Sequence, residues 1–227
     1  MFKTELHCHS VDVSFCADVD AEHIAERYVN AGYSTIVLAN HFEAATMRRR
    51  GDTYEQFVMR HVDACDKLRR AANGRLNVIF GAELRFTENI NDYLLYGVTP
   101  EFLLAHPDVF EMKPKDFSPI ARAAGVLFVQ AHPFRNGMTV IDPALLDGVE
   151  AFNGHVGHDS RNSIANAWAD TYSLIKTSGT DYHHPHHFPD AGILTEKMIL
   201  SSSDVVATLR SGAYELLRDD SAFAKKT

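Results

Sequence analysis

His7 and His9 lie two residues apart at the end of an apolar run, Phe2–His9. Alternate side chains of a strand share a face, so both imidazoles point one way and Cys8 points the other. Imidazole nitrogen is a good ligand for zinc, manganese, iron and similar ions. One His-x-His is a weak signal, but Asp181-Tyr182-His183 repeats the spacing after a second apolar run. Glu83 directly follows Val78-Ile79-Phe80-Gly81-Ala82. A carboxylate at such a place is costly to bury unless it is paired or bound to metal. Its two oxygens could bridge two ions, and a salt bridge to Arg85 is the plainer alternative. His41 ends another apolar run, where it could also be a simple loop histidine. His132 precedes Pro133, which ends its strand. Seven oxygen and nitrogen donors thus stand at five strand ends. That is a pattern for metal-assisted hydrolysis rather than for packing.

The elements that must position these residues alternate between short apolar runs and helical patterns, the signature of βα units. The runs are Phe2–His9, Ser34–Ala39, Leu76–Ala82, Asp92–Val98, Val126–Ala131, Val149–Phe152 and Leu174–Ser178. Helices are expected over 21–31, closed by Gly32, and over 54–72, closed by Asn73-Gly74. The second carries Phe57, Val58, His61, Val62, Cys65 and Leu68 at helical spacing, with His61 read as a packing residue. Another helix is expected over 160–171. A last one, with Ser203 near its start and Gly212 as its stop, reads as a docking element. Seven strands buried on both faces suggest a parallel α/β barrel, in which functional residues gather at the carboxyl ends of the strands. No linker or repeat interrupts the 227 residues, so a single domain over 1–227 is expected.

The chain has 30 acidic against 22 basic residues, a net charge of −8, and no basic block. Such a surface repels polyanions, which makes nucleic acid a poor default partner. No apolar run is long enough to span a bilayer. Three cysteines, Cys8, Cys16 and Cys65, without C-x-x-C spacing argue against a disulfide framework. With no signal-peptide pattern at the first residues, a cytoplasmic setting is expected.

Leu6-His7-Cys8-His9-Ser10, Leu38-Ala39-Asn40-His41, Gly81-Ala82-Glu83, Ala131-His132-Pro133 and Ser178-Gly179-Thr180-Asp181-Tyr182-His183 resemble the motifs of the PHP (polymerase and histidinol phosphatase) superfamily. The resemblance extends from about Lys3 to Leu217. It implies a distorted seven-stranded, TIM-like (β/α)7 barrel and a phosphoesterase with two or three divalent ions of zinc, manganese or iron. It also implies that His7, His9, Glu83 and Asp181 hold one ion, that Glu83 bridges to a second bound by His132, and that His41 and His183 bind a third. Glu83 and Asp181 would be the catalytic carboxylates that orient and deprotonate water. The sequence departs from the pattern twice. Tyr96-Gly97-Val98-Thr99 stands where a histidine follows the fourth strand, and Phe15 stands near a further ligand position. Asp12 is the nearest replacement there, with Asp18 a weaker one.

A small phosphorylated substrate is the expected partner. Arg135, three residues after His132, could hold its phosphate bidentately or pair with Asp142. Arg85, two after Glu83, could reach the same phosphate or support Glu83. Asn153 and His155 end the sixth run and could support ligands or touch substrate. His184, His186 and His187 are read as outside the ligand set, because Pro185 redirects the chain. Three other readings stay open: a single-strand nuclease or proofreading module, a regulatory domain that binds metal with little turnover, and a metal-dependent amidase or deacetylase in the same kind of barrel.

Overall fold

The computed structural model describes residues 1–218, so residues 219–227 of the expected 1–227 domain lie outside the described residues. Its strands are β1 (Phe2–Cys8), β2 (Tyr33–Leu38), β3 (His41–Glu43), β4 (Asn77–Phe80), β5 (Ala82–Arg85), β6 (Tyr93–Tyr96), β7 (Leu127–Gln130), β8 (Gly148–Asn153), β9 (Ile175–Gly179), β10 (Ala191–Thr195) and β11 (Glu215–Arg218). Its helices are α1 (Ala21–Asn30), α2 (Ala44–Arg50), α3 (Tyr54–Ala72), α4 (Pro100–Leu104), α5 (Pro114–Ala123), α6 (Asn162–Tyr172) and α7 (Ser202–Ser211).

Local chemistry sets the helix ends. Asp20 caps α1 by accepting the His23 N–H at 2.8 Å. Thr53 and Gln56 form a reciprocal capping box at α3, which stops at Asn73 in the left-handed region. Ser201 and Asp204 repeat the capping box at α7, and Gly212 ends it. On α3 the buried stripe is Phe57, Val58, His61, Ala64, Cys65, Leu68 and Ala72, with Ala64 replacing the expected Val62.

The expected parallel order of the distorted seven-stranded barrel is corrected at β6, and the strands form two sheets among the described residues. One has the order β11-β10-β1-β2-β4 and the other β3-β5-β6-β7-β8-β9. The seven expected runs all form strands, but β6 lies antiparallel to both β5 and β7. Only residues 86–92 separate β5 from β6, too few for the crossover that a parallel pair requires. The added strands β3 and β5 continue β2 and β4 past Asn40 and Gly81, and β10 and β11 extend the first sheet at its edge.

The sheets meet where the carboxyl end of β1 runs beside the segment after β9. There His9 N–H donates to the Tyr182 carbonyl at 3.0 Å, and Tyr182 N–H donates to the His7 carbonyl at 3.3 Å. Leu6, Val37 and Ile79 from one sheet pack with Leu94, Tyr96 and Val129 from the other, and Val205 and Leu209 of α7 join this core. Each fully buried aliphatic side chain there contributes ~1.5–3 kcal/mol. Cys8 is in the larger core with Ile24, Tyr28 and Tyr182, as its outward parity predicts. Among the described residues no helix is long and apolar enough to cross a membrane.

Candidate metal centre

Glu83 is the hub. The β3–β5 register sets it opposite His41, and both of its oxygens face histidine nitrogens. Oε1 is 3.2 Å from Nε2 of His7 and 3.2 Å from Nε2 of His132. Oε2 is 3.4 Å from Nε2 of His9 and 2.8 Å from Nδ1 of His41. Asp181 closes the ring from the far side. Its Oδ1 is 3.4 Å from Nε2 of both His7 and His9. The structure therefore brings together His7, His9, His41, Glu83, His132, Asp181 and His183, from segments spread over the whole chain.

Supporting hydrogen bonds decide which ring nitrogen carries a lone pair. His7 Nδ1–H donates to Glu150 Oε1 at 2.8 Å, which turns Nε2 toward the hub. Ser14 Oγ donates its single proton to Asn40 Oδ1 at 3.0 Å, so it must accept from His9 Nδ1–H at 3.1 Å. His183 Nδ1–H donates to the Asp181 carbonyl at 2.8 Å. In its neutral form each of these histidines thus carries its lone pair on Nε2, where a cation can take the place of a proton.

Two buried carboxylates facing such lone pairs need a positive charge between them. His7 Nε2, His9 Nε2, His41 Nδ1 and Glu83 Oε2 are all buried without a hydrogen-bond partner. The donor set and its orphaned atoms fit divalent ions. Burial alone would raise the Glu83 carboxyl, but the charges of His41 and His7 outweigh it and hold it well below the usual range. Burial would raise Asp181 too, and His7 and His183 hold it low. Burial would lower His7, yet Asp181, Glu150 and Glu83 together push it well above its ordinary value. The same field that holds a proton on His7 would hold a metal ion there. Backbone strain falls at the same place: His132 and Asp181 adopt φ of 29° and 50°.

Several supporting residues come from outside the sequence motifs. Glu150 sits inside an apolar strand, which was the readable signal. Besides His7, it accepts the His132 backbone N–H and the Asn153 amide, each at 2.9 Å. Asp92 is fully buried beside His132, with Oδ2 3.8 Å from Nε2. Glu5, buried in β1, accepts N–H groups of His7 and Thr180 at 2.7 and 3.0 Å and ties the two ligand segments together. Cys16 stands beside His41 and His183; burial opposes ionisation of its thiol, but these rings lower it to about 6.

Other expectations need correction. Asp12 is not at the centre; its carboxylate pairs with Lys67 on the outer face of α3. Phe15 turns outward beneath the guanidinium groups of Arg49 and Arg50. Asp18 pairs with His184. Arg85 supports neither Glu83 nor an open phosphate pocket, because it forms a bidentate pair with Asp92 at 2.6 and 2.8 Å and also meets Glu43. Arg135 pairs with Asp92 at 3.3 Å rather than with Asp142. Asn153 donates to Asp181 Oδ2 at 3.1 Å, a supporting role. His187 is buried, and its Nδ1 accepts the His183 N–H at 3.2 Å. His155 likewise spends Nδ1 on the Gly157 N–H at 2.9 Å.

A two-domain protein from Bacteroides vulgatus, described as containing a PHP-like metal-dependent phosphoesterase, superposes with a TM-score of 0.69 at 16% identity over 96% of this chain. The chain shares the fold of that neighbour. It spans 65% of that neighbour's length. PsfC from Pseudomonas syringae superposes with a TM-score of 0.66 at 16% identity, over 91% of this chain and 88% of PsfC. An amidohydrolase from Chromobacterium violaceum, solved with sulfate and no metal, gives 0.56 at 13% identity, over 96% of this chain and 99% of its own. No family model matches the sequence, and no curated protein does. At such identities the likeness to these proteins is one of architecture, and the reading of the centre rests on its own geometry.

Proposed function

We propose that this protein is a metal-dependent phosphatase that cleaves a small phosphate monoester with activated water. The observation that carries the reading is the set of buried, unpartnered histidine nitrogens converging on the two oxygens of Glu83. His7, His9, Glu83 and Asp181 would hold one divalent ion, and Glu83 with His132 would hold a second. His41 and His183 offer a third position, and zinc, manganese or iron suits this mixture of nitrogen and oxygen donors. Bound ions supply a water of lowered pKa and positive charge against the phosphoryl oxygens.

The residues do the rest. Asp181 is held by Asn153 at Oδ2, which leaves Oδ1 to orient the attacking water and take its proton. Glu83 fixes the spacing of the two halves of the centre. Arg135 is partly exposed and makes one longer contact with Asp92, so its remaining N–H groups can grip a phosphate. Water adds to phosphorus, the ester P–O bond breaks, and the alcohol leaves with a proton. Phosphate is released.

Phosphate release from a panel of monoesters, measured on protein stripped by chelator and reloaded with manganese, zinc, iron or magnesium, tests this. Activity should vanish on stripping, return with metal and be lost in His9→Ala. Turnover indifferent to stripping would sink the reading. Turnover of amides alone would move the protein to the chemistry of its amidohydrolase neighbour.

A further inference from the structure

The loop between β8 and α6 carries a histidine that the preceding site does not use. Ser160 Oγ has one proton, and it goes to Asn153 Oδ1 at 3.1 Å. That oxygen is identified by the His155 N–H it also accepts, at 3.0 Å. Ser160 must therefore accept from its other neighbour, Nδ1–H of His158, at 3.1 Å. The tautomer follows: Nε2 of His158 bears a lone pair.

This Nε2 is buried and has no hydrogen-bond partner. It faces Asp181 Oδ2 at 3.6 Å, and the same oxygen is 4.0 Å from Nε2 of His132. Two lone pairs pointed at each other in a buried place repel unless a cation lies between them. The stacked neighbour His155, at a ring distance of 4.2 Å, has the opposite tautomer because its Nδ1 accepts a backbone proton. Position alone does not separate the two rings; their hydrogen bonds do.

We propose that His158 is a ligand of the divalent ion held by His132, reaching it beside Asp181 Oδ2. This rests on the reading of the centre as a metal site. The loop would then be part of the centre rather than a cover over it. Arg161 ties the same loop to the segment bearing Arg135, through a bond to the Phe134 carbonyl at 2.9 Å. Binding an ion through His158 would thus order the phosphate-gripping side as well.

Calorimetric titration of the metal-stripped full chain with cobalt or manganese ions tests the assignment. In His158→Ala one ion should bind more weakly by more than the ~10–100-fold that losing a residue supporting a ligand causes. His155→Ala should keep every ion. Ser160→Ala, which frees the tautomer, should weaken the same ion by a smaller factor. Folding of each variant is checked by its thermal melt. In folded wild type, nitrogen NMR gives the second readout: the His158 Nε2 resonance should shift on zinc addition while Nδ1 keeps its proton. Unchanged affinities in folded His158→Ala, or an unmoved Nε2 resonance in a zinc-loaded protein, would overturn the assignment and leave the centre standing. A wild-type chain that binds no ion would overturn the centre itself.

Discussion

Glu150 and His7 are joined by a hydrogen bond of 2.8 Å, and that bond aims the Nε2 of His7 into the centre. The Glu150 carboxylate takes the Nδ1 proton, so Nε2 faces Glu83 and Asp181. The same carboxylate also fixes the His132 backbone and Asn153. One residue therefore orients three parts of the centre without reaching it.

Replacing Glu150 with glutamine should lower metal affinity by roughly 10–100-fold while the chain stays folded. Metal content after dialysis against a graded chelator is the measurement. Retention equal to wild type would show that His7 needs no such support.

Arg135→Ala should raise KM far more than it lowers kcat. A charged hydrogen bond to phosphate contributes ~1.5–3 kcal/mol, so kcat/KM should fall by roughly tenfold or more. Metal content should not change, because Arg85 still neutralises Asp92. Steady-state kinetics on the best monoester decides it, and an unaltered KM would remove Arg135 from the substrate site.

Gly179→Ala should damage both fold and centre. A Cβ there would lie 2.4 Å from the His7 Cβ and 2.9 Å from Glu150 Oε1. Overpacking of this kind costs ~1–3 kcal/mol, and relief requires moving a ligand. Urea unfolding and metal titration of the variant should shift together. A loss of stability with normal metal binding would mean that β1 moves as a rigid piece.

His61 should give the protein part of its acid sensitivity. Burial lowers its pKa from 6.5 to about 4, and its Nδ1–H is bonded to the Phe57 carbonyl. Below pH 6.5 the unfolded chain takes up a proton that the folded one resists, so stability falls from pH 6.5 down to about 4. The full effect is ~3 kcal/mol at 1.36 kcal/mol per unit. His61→Leu should therefore lose less stability than wild type across that range. Parallel stability curves for the two proteins would refute the attribution.

The local pattern reached far into this protein. Apolar runs located seven strands, and Gly32, Asn73-Gly74 and Gly212 marked the stops of α1, α3 and α7. Strand parity separated Cys8 in the core from His7 and His9 in the centre, because side-chain alternation is a local property of the backbone. The seven site donors could be named for the same reason, since each ends an apolar run. Pairing was different. The antiparallel turn of β6 and the division into two sheets depend on which edges meet, and that is settled by connection length and packing between distant segments.

Charge partners were likewise beyond sequence. Arg85 lies two residues from Glu83 yet is spent on Asp92 and Glu43, while Asp12 is drawn away to Lys67. Glu150 and His158 act on residues far along the chain, through contacts that no spacing announces. The residue types at the strand ends thus determined by themselves that a cluster of nitrogen and oxygen donors forms. Only the tertiary structure decided which nitrogen of each ring points at it, because a histidine's tautomer is set by the partner of its other nitrogen.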